Sequence, residues 1–367
     1  MRSLRRFGLC YLPTANTHRL FYGIVRTQTP SLQCRKGNVC IADKMSPHEN
    51  VMILFYLLTG LIVGMGLSVQ TSINGRLRKS LGSPFLTSLV SFLISTVFIW
   101  ILTIIQSGSL GLSVDLFKTQ PFWIWFGGFF GCIFLTGNIL LFPKLGAVQT
   151  VIFPVLGQIT AGLLIDEFGL FHAPISPMGI HKAIGTLLVL AGITGVVLFS
   201  HKKLSANNNE NKPKQSNAQW FWRLLGVCTG ACSTLQITIN GQLGLVLHTP
   251  IRAAMVSFIV GSLSLFMMVC IQRPKLHISN PENTKNPWWM WTGSFLGALY
   301  VIGNAWISPQ IGTGAAVVIG LLGLMSAGLI IDQTGILQSL KKPVCLQQII
   351  SLMIMFAGVC LIRLWYE

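Results

Sequence analysis

The second half of this chain repeats the first half at a fixed offset of 166 residues. The stretch GLIVGMGLSVQTSINGRL, which begins at Gly60, aligns with GVCTGACSTLQITINGQL, which begins at Gly226. Twelve of the 33 positions from 60 to 92 are identical to their counterparts, as are nineteen of the 49 positions from 121 to 169. Because the identities include Pro and polar positions, shared hydrophobicity does not explain them. The pattern indicates an internal duplication.

Each copy contains five apolar segments, and a helix needs about 20 apolar residues to cross the hydrocarbon core of a bilayer. Only 10% of the residues are charged and 52% are hydrophobic, which is unlike a soluble domain. We therefore predict an all-α membrane protein of about ten transmembrane helices. The segments are 51–73, 85–105, 122–142, 146–165 and 179–199, then 220–240, 251–271, 288–307, 312–331 and 346–365.

Two polar stretches divide the chain further. Residues 1–50 form a basic extension without the apolar core of a signal peptide. It is interpreted as sequence upstream of a true start at Met45 or Met52, as a disordered tail, or as a targeting segment. Residues 51–200 then form the first five-helix repeat, 201–218 (HKKLSANNNENKPKQSNA) a solvated linker, and 219–367 the second repeat.

The odd number of segments per copy has a geometric consequence. After five crossings the chain is on the opposite side of the membrane, so the second copy is expected to run upside down. Inverted repeats are typical of transporters, in which the two halves alternate access to a site near the midplane. This architecture favours transport before any single residue is considered.

The 26 Lys and Arg residues, which give a formal charge of +17, lie in loops and tails. Their placement is typical of membrane orientation and argues against nucleic-acid binding. After the extension, fourteen lie in or beside the loops that follow segments 1, 3, 5, 7 and 9, and four lie at the opposite side. The positive-inside rule then places Val51 and Glu367 outside and the linker in the cytoplasm.

Matched polar residues within the apolar segments are the candidate substrate-binding residues, because a polar group inside a bilayer needs a partner or a wet cavity. They bind a substrate near the pseudo-axis, or they tie helices together across the bundle. Two aromatic residues one turn before the last amide pair are further cavity candidates. The set comprises Gln70, Asn74, Asn138, Gln236, Asn240 and Asn304, with Phe134 and Tyr300.

Asp166 and Asp332 end segments 4 and 9 in the matching motifs GLLID and GLIID. Either could bind a coupling proton, or both could be interfacial helix ends beside a glycine turn. No Asp or Glu lies at the centre of an apolar segment. A proton-coupled exporter of cations would ordinarily keep a carboxylate there.

Glycine pairs spaced four residues apart, such as Gly60/Gly64 and Gly226/Gly230, predict close helix packing. The tryptophans at the start of segments 3 and 8 are typical of an interfacial aromatic belt. No catalytic constellation, metal-ligand spacing or cofactor motif occurs. Cys228 and Cys232 are four apart, but no further ligands complete a zinc site. We expect no enzyme activity, metal or cofactor.

The motifs of each copy resemble the drug/metabolite transporter superfamily. They are Q-x-x-x-N-G in the first helix, a GxxxG third helix ending in G-N-x-x-x-x-P, and a fourth helix ending in A-G-L-hydrophobic-I-D. The chain is most similar to that superfamily's bacterial inner-membrane family of single five-helix units, here fused in tandem over about residues 52–365. The resemblance implies a ten-helix transporter with a central cavity.

Small multidrug members of that superfamily keep a glutamate in the first helix, whereas this chain has Val, Gly, Ser and Gln there. Multidrug cation/proton antiport is therefore not expected. We predict a secondary transporter of a small uncharged or zwitterionic metabolite in a bacterial inner membrane. The alternatives are a non-transporting scaffold or assembly protein, and a lipid translocator. The sequence does not determine the oligomeric state.

Overall fold

The computed structural model describes residues 47–205, 219–274, 286–338 and 343–364, and within these ranges the chain is helical. The basic extension up to residue 46 and linker residues 206–218 lie outside the described residues. Short 3-10 turns at Phe122–Trp125 and Trp288–Trp291 precede α4 and α8. The helices are α1 (Pro47–Leu81), α2 (Pro84–Ser107), α3 (Val114–Thr119), α4 (Gly127–Phe168), α5 (Ile180–Ser205), α6 (Gln219–Val246), α7 (Pro250–Gln272), α8 (Gly293–Ile311), α9 (Thr313–Thr334) and α10 (Leu346–Leu364).

Equivalent helices of the two copies begin with the same local chemistry. The hydroxyl of Ser83 caps α2 by accepting a hydrogen bond from the N–H of Leu86, and Pro84 occupies the first turn. Thr249 caps α7 in the same way, with Pro250 after it. A hydroxyl cap followed by proline fits a helix start, because it satisfies an N–H that has no partner within the helix.

α4 is assigned as one helix of 42 residues, although the sequence predicts two segments there. Both of its ends nevertheless contact the same part of α6. Gly131 lies against the side chain of Gln236, and the carbonyl oxygen of Gln158 accepts a hydrogen bond from Thr234 Oγ1 at 2.9 Å. A straight helix would place residues 131 and 158 about 40 Å apart. The chain therefore reverses within α4.

Gly226 locates this reversal, since it lies against both Leu141 and Phe153. We call residues 127–141 the first limb of α4 and residues 153–168 its second limb. In the second copy the corresponding change of direction is an explicit break. Gly312 separates α8 from α9 with φ 87° and ψ 153°, outside the helical region.

α2 and α7, which are equivalent helices, run antiparallel against each other. Ile99 packs in a cluster with Ala254 and Met255. Leu89, which lies ten residues earlier in α2, packs in a cluster with Leu265, which lies ten residues later than Met255 in α7. The rings of Phe92 and its counterpart in α7 are 5.0 Å apart between centroids.

α5 and α10 form the second antiparallel pair of equivalent helices. Gly185 lies against Gly358, and Gly192 lies against Ser351. Residues 185 and 351 are equivalent under the 166-residue offset, and so are 192 and 358. Each contact therefore has its mirror in the other copy, as a two-fold pseudo-axis requires.

The first helix of copy 1 packs between two helices of copy 2. Val63 lies against Gly303 of α8, and Gly64 approaches Gly320 of α9 so closely that a Cβ on Gly64 would overlap the Gly320 carbonyl oxygen. A small residue is thus required at this point for the backbones to meet.

The first helix of copy 2 makes the equivalent contacts with copy 1. Thr229 lies against Gly137 of the first limb, and a Cβ on Gly230 would overlap the carbonyl oxygen of Pro154 in the second limb. These four positions are the counterparts of the contacts of α1 at an offset of 166. Each first helix therefore packs across the boundary between the copies, against helices of the other copy as well as its own.

Within the described residues, six helical spans are long and apolar enough to cross a membrane by length and composition, and a shorter apolar helix covers Leu346–Ile362. α6 and α8 fall outside this set. α6 carries Thr, Ser, Gln and Asn along its length, which lowers its hydropathy without shortening it. The protein is a multi-pass membrane protein. The six spans are Val51–Leu81, Pro84–Ser107, Gln149–Phe168, Ile180–Phe199, Pro250–Gln272 and Thr313–Thr334.

Candidate functional site

The two asparagines at the ends of the first helices make equivalent hydrogen bonds. Asn74 Oδ1 accepts from Ser91 Oγ of α2 at 3.2 Å. Asn240 Nδ2 donates to Ser257 Oγ of α7 at 3.1 Å. Ser91 and Ser257 are themselves counterparts at an offset of 166. Each asparagine therefore ties the first helix of its copy to the second.

Each of the two glutamines lies against a glycine of the other copy. Gln70 lies against Gly297 of α8, and Gln236 lies against Gly131 of the first limb. Gln70 Oε1 is buried without a hydrogen-bond partner, and so is Asn240 Oδ1. Such unsatisfied acceptors are rare in folded proteins and call for a functional or structural reason.

The structure does not bring the two Gln–Asn pairs together. Asn74 contacts Gly293 at the start of α8, whereas Gly241, beside Asn240, contacts Pro309 near the end of the same helix. Sixteen residues separate the two contact points on α8, which corresponds to about 24 Å of helix. The pairs therefore occupy opposite ends of the bundle.

Asn138 and Asn304 lie between these ends. Asn304 follows Gly303, which contacts Val63, eleven residues before Asn74 on α1. Asn304 is 6% exposed, and its Nδ2 donates to the Tyr300 carbonyl oxygen of its own helix at 2.9 Å. It therefore does not hold two helices together through this bond.

The counterpart, Asn138, is half-buried and follows Gly137, which contacts Thr229. Phe134 is half-buried one turn earlier, as Tyr300 is in the second copy. These four candidates are the ones nearest the middle of the bundle.

Asp166 lies at the end of the second limb of α4, where its carboxylate caps α9. Its Oδ1 accepts from the N–H of Thr313 at 2.8 Å, and its Oδ2 accepts from the N–H of Gly314 at 2.9 Å. The side chain is 2% exposed. The carboxylate thereby satisfies two N–H groups of the first turn of α9 that have no acceptor within the helix. Asp332 holds the equivalent position at the end of α9 and is half-buried.

A small recess borders Asp166. Ser176 and Lys182 line it together with apolar residues of α9. Lys182 Nζ donates to the carbonyl oxygen of Ser176 at 2.6 Å and to its Oγ at 3.1 Å. The sequence reasoning did not include Lys182, because a single lysine near the start of an apolar segment is typical of an interfacial residue.

Arg76 is a second residue that the sequence reasoning missed. It was assigned to a cytoplasmic loop, but it lies inside α1 and is 3% exposed. Its Nε donates to Gln338 Oε1 at 2.8 Å, its Nη1 to Ser80 Oγ at 3.0 Å and its Nη2 to Asn286 Oδ1 at 3.3 Å. The sequence analysis ended the first apolar segment at residue 73, whereas α1 continues to Leu81 and so includes Arg76.

Among the described residues, no group of three His, Cys, Asp or Glu side chains is placed to hold a metal ion. The matched positions instead offer amides, hydroxyls and buried charges. Amides and hydroxyls form hydrogen bonds, and buried charges can form ion pairs.

The fold of this chain is similar to that of a solved structure. One solved structure, described only as "Crystal structure of protein", has a TM-score of 0.55 with 15% sequence identity, and the match covers 86% of this chain and 97% of that chain. This likeness is evidence for the fold alone. No curated protein matches the chain.

A family described as "Putative inner membrane exporter, YdcZ" matches this chain twice, over residues 55–195 and 221–361. The two matches cover most of the chain and coincide with the two copies found by the 166-residue offset. The chain therefore belongs to the DMT_YdcZ family of inner membrane proteins and carries two copies of the family's unit in tandem.

Proposed function

We propose that this protein is a secondary transporter that moves a small metabolite across the inner membrane of a bacterium by alternating access between two inverted repeats. The observation that carries the proposal is the matched packing of the first helices across the boundary between the copies. α1 packs on α8 and α9 at Val63 and Gly64, and α6 makes the equivalent contacts with α4. A relative movement of the two copies would therefore act on both first helices in the same way.

The inverted arrangement is supported by the antiparallel contacts of equivalent helices. α2 faces α7, and α5 faces α10, with each pair running in opposite directions. Two copies related in this way have opposite orientations if α2, α5 and their counterparts cross the membrane. Ten crossings result when α6, α8 and both limbs of α4 also cross. The loop charges then favour a cytoplasmic position for the linker.

The midplane candidates Asn138, Asn304, Phe134 and Tyr300 would form the centre of the transport path. In this proposal Gln70 and Gln236 lie slightly nearer the two ends, and their neighbours on the facing helices are the buried glycines Gly297 and Gly131. Amides serve a substrate with both donors and acceptors, since each carries a carbonyl and an NH2 group.

Contacts between the two copies close both ends of the bundle. Ser80 Oγ of α1 donates to Asn286 Oδ1 at 2.9 Å. At the other end, Thr249 Oγ1 donates to Gln106 Oε1 at 2.9 Å. Alternating access requires that one of these contacts opens while the other stays closed.

A non-transporting scaffold remains the second candidate, and one observation favours it. Asn74 and Asn240 bond to serines of neighbouring helices, which is how a scaffold would use its buried amides. Gln70 Oε1 and Asn240 Oδ1 favour transport, because a static scaffold has no reason to leave acceptors unsatisfied.

Paired cysteines test the alternation in a variant whose nine native cysteines are replaced. Gln106→Cys and Thr249→Cys are cross-linked, and the labelling rate of Ser80→Cys by a water-soluble maleimide is measured in liposomes. We expect the cross-link to raise this rate severalfold. The reciprocal variant cross-links Ser80→Cys to Asn286→Cys and reports on Thr249→Cys. Labelling that is unchanged by either cross-link would favour the scaffold.

A further inference from the structure

Arg76 is a buried positive charge whose hydrogen-bond acceptors are all neutral. They are the side-chain oxygens of Gln338, Ser80 and Asn286. Of the described residues, none with a carboxylate bonds to this guanidinium. Arginine stays charged under all ordinary conditions. A buried charge without a counter-ion is costly, and it is normally paired or serves a function.

The fold itself does not need this charge. The counterpart of Arg76 in the second copy is Gln242, which is 8% exposed and uncharged. The rest of the two first helices matches closely, including Gln70 with Gln236 and Asn74 with Asn240. A neutral side chain therefore fills the equivalent buried position. At this matched position, only the first copy has a charged side chain.

The three acceptors come from parts of the chain that opening would separate. Ser80 lies one turn further along α1, whereas Asn286 precedes α8 and Gln338 follows α9. The last two belong to the other copy. Movement of the copies apart at this end would remove two of the three acceptors and leave N–H donors of Arg76 facing the opening.

We propose that Arg76 binds a carboxylate of the transported metabolite when this end opens. This inference rests on the proposed transport function and narrows its substrate class. A guanidinium binds a carboxylate with two parallel hydrogen bonds. One guanidinium neutralises one negative charge, so a monoanionic group fits better than a doubly charged phosphate. The amide groups of Asn286 and Gln338 supply further donors after rotation.

The location favours this site as the entry or exit point for the carboxylate. Arg78 and Lys79 follow in the last turn of α1 and are exposed. Exposed positive charges raise the local concentration of anions and speed their encounter. Gln70 Oε1, less than two turns before Arg76, is the unsatisfied acceptor nearest in sequence. It would accept a hydrogen bond from a donor on the same ligand, such as an ammonium or hydroxyl group.

The test compares ligand-induced thermal shifts of the purified full-length protein at pH 7.5. The probes are carboxylates and their matched amides: acetate and acetamide, lactate and lactamide, glycine and glycinamide, benzoate and benzamide. The variants are Arg76→Gln, Arg76→Lys and, as a control, Arg223→Gln. Arg223 is also an arginine with amide partners, Gln149 and Gln219. Ligand binding to the folded state raises the melting temperature directly.

We expect at least one carboxylate to stabilise the wild type and Arg223→Gln while its amide does not. Arg76→Gln should weaken that apparent affinity at least about tenfold, because charge-assisted bonds are lost. The affinity of Arg76→Lys should lie between those of the wild type and Arg76→Gln, because lysine keeps the positive charge but cannot donate two parallel hydrogen bonds to a carboxylate. An equal shift in wild type and Arg76→Gln would overturn the proposal, and so would the absence of any carboxylate-specific shift.

Two further outcomes keep the interpretations separate. A neutral probe that stabilises wild type and Arg76→Gln equally would overturn the carboxylate site and leave the transport function standing. If Arg76→Gln does not fold, modification of Arg76 by phenylglyoxal is followed by mass spectrometry in the wild type. Severalfold protection by the carboxylate but not by its amide would support the proposal, and unchanged modification would overturn it.

Discussion

Thr96 and Ser262 are equivalent residues of the two copies, and their hydroxyl oxygens lie 3.1 Å apart. Thr96 also donates to the carbonyl oxygen of Phe92 at 2.8 Å. In that arrangement Ser262 is the donor to Thr96. A residue that contacts its own counterpart must lie on the axis that relates the copies. The pair therefore marks the pseudo-axis inside the α2–α7 contact.

The Thr96–Ser262 bond is expected to contribute measurably but weakly to stability. In a double-mutant cycle with Thr96→Val and Ser262→Ala, we expect a coupling free energy of about 0.6 kcal/mol, the typical value for such bonds in membrane proteins. Unfolding in mixed detergent micelles measures it. Ser264→Ala is the matched control, because Ser264 bonds to Val260 of its own helix. Its coupling to Thr96→Val should be near zero, and a coupling as large as that of Ser262 would contradict the assignment.

The close packing of the first helices against the other copy predicts which glycines cannot be replaced. Gly230→Ala should lower the unfolding free energy by about 1–3 kcal/mol or prevent folding, since the new methyl group meets the Pro154 carbonyl. Gly64→Ala should behave in the same way in the other copy. Gly66→Ala is the control, because no atom lies within 4 Å of a Cβ there. It should leave the melting temperature unchanged or slightly raised. Equal effects of Gly66→Ala and Gly230→Ala would be inconsistent with the packing.

The bonds of Asp166 predict a structural role for its carboxylate. Asp166→Asn should destabilise the protein by about 1–2 kcal/mol, because an amide can accept only one of the two N–H bonds of α9 well. Thermal unfolding of the purified protein measures the change. Asp115→Asn is the control in an exposed short helix, and it should have little effect. If Asp166→Asn keeps full stability but alters the proton dependence of transport, the prediction that Asp166 is a coupling site gains support instead.

The central amides should be separable from the amides that tie helices together. Asn138→Ala combined with Asn304→Ala should cost less than about 1 kcal/mol, because the Asn304 amide bonds only within its own helix. Any ligand-dependent thermal shift should be lost. Asn74→Ala should do the reverse, lowering stability through loss of the bond to Ser91 while ligand binding persists. A ligand shift that survives the double substitution would remove Asn138 and Asn304 from the substrate path.

Much of the architecture was predictable because it depends on local chemistry and on repetition. Apolar segment length predicted most of the helices. The glycine pairs predicted close helix packing, and Gly64 and Gly230 do lie against backbone carbonyl oxygens of the other copy. The short helix α3 was not predicted, since six residues carry too little periodicity to be recognised.

The candidate site was less predictable, because distance along the sequence does not give distance in space. One of the two interpretations brings Gln70 with Asn74 and Gln236 with Asn240 to a shared centre, and the other has them tie helices together. In the structure α8 separates the two pairs by most of its length. Inverting one copy moves the end of its first helix to the opposite end of the bundle. The same inversion leaves Asn138 and Asn304 near the middle.

The sequence by itself determined the number of copies, their register of 166 residues and the membrane environment. An internal repeat and the length of apolar segments are properties of the sequence that do not depend on tertiary contacts. Only the tertiary structure decided that the first helices pack across the boundary between the copies, that α4 turns back beside α6, and that Arg76 is buried. These features depend on which backbones approach each other. That approach is set by packing between residues about 70 to 260 positions apart, which no local pattern encodes.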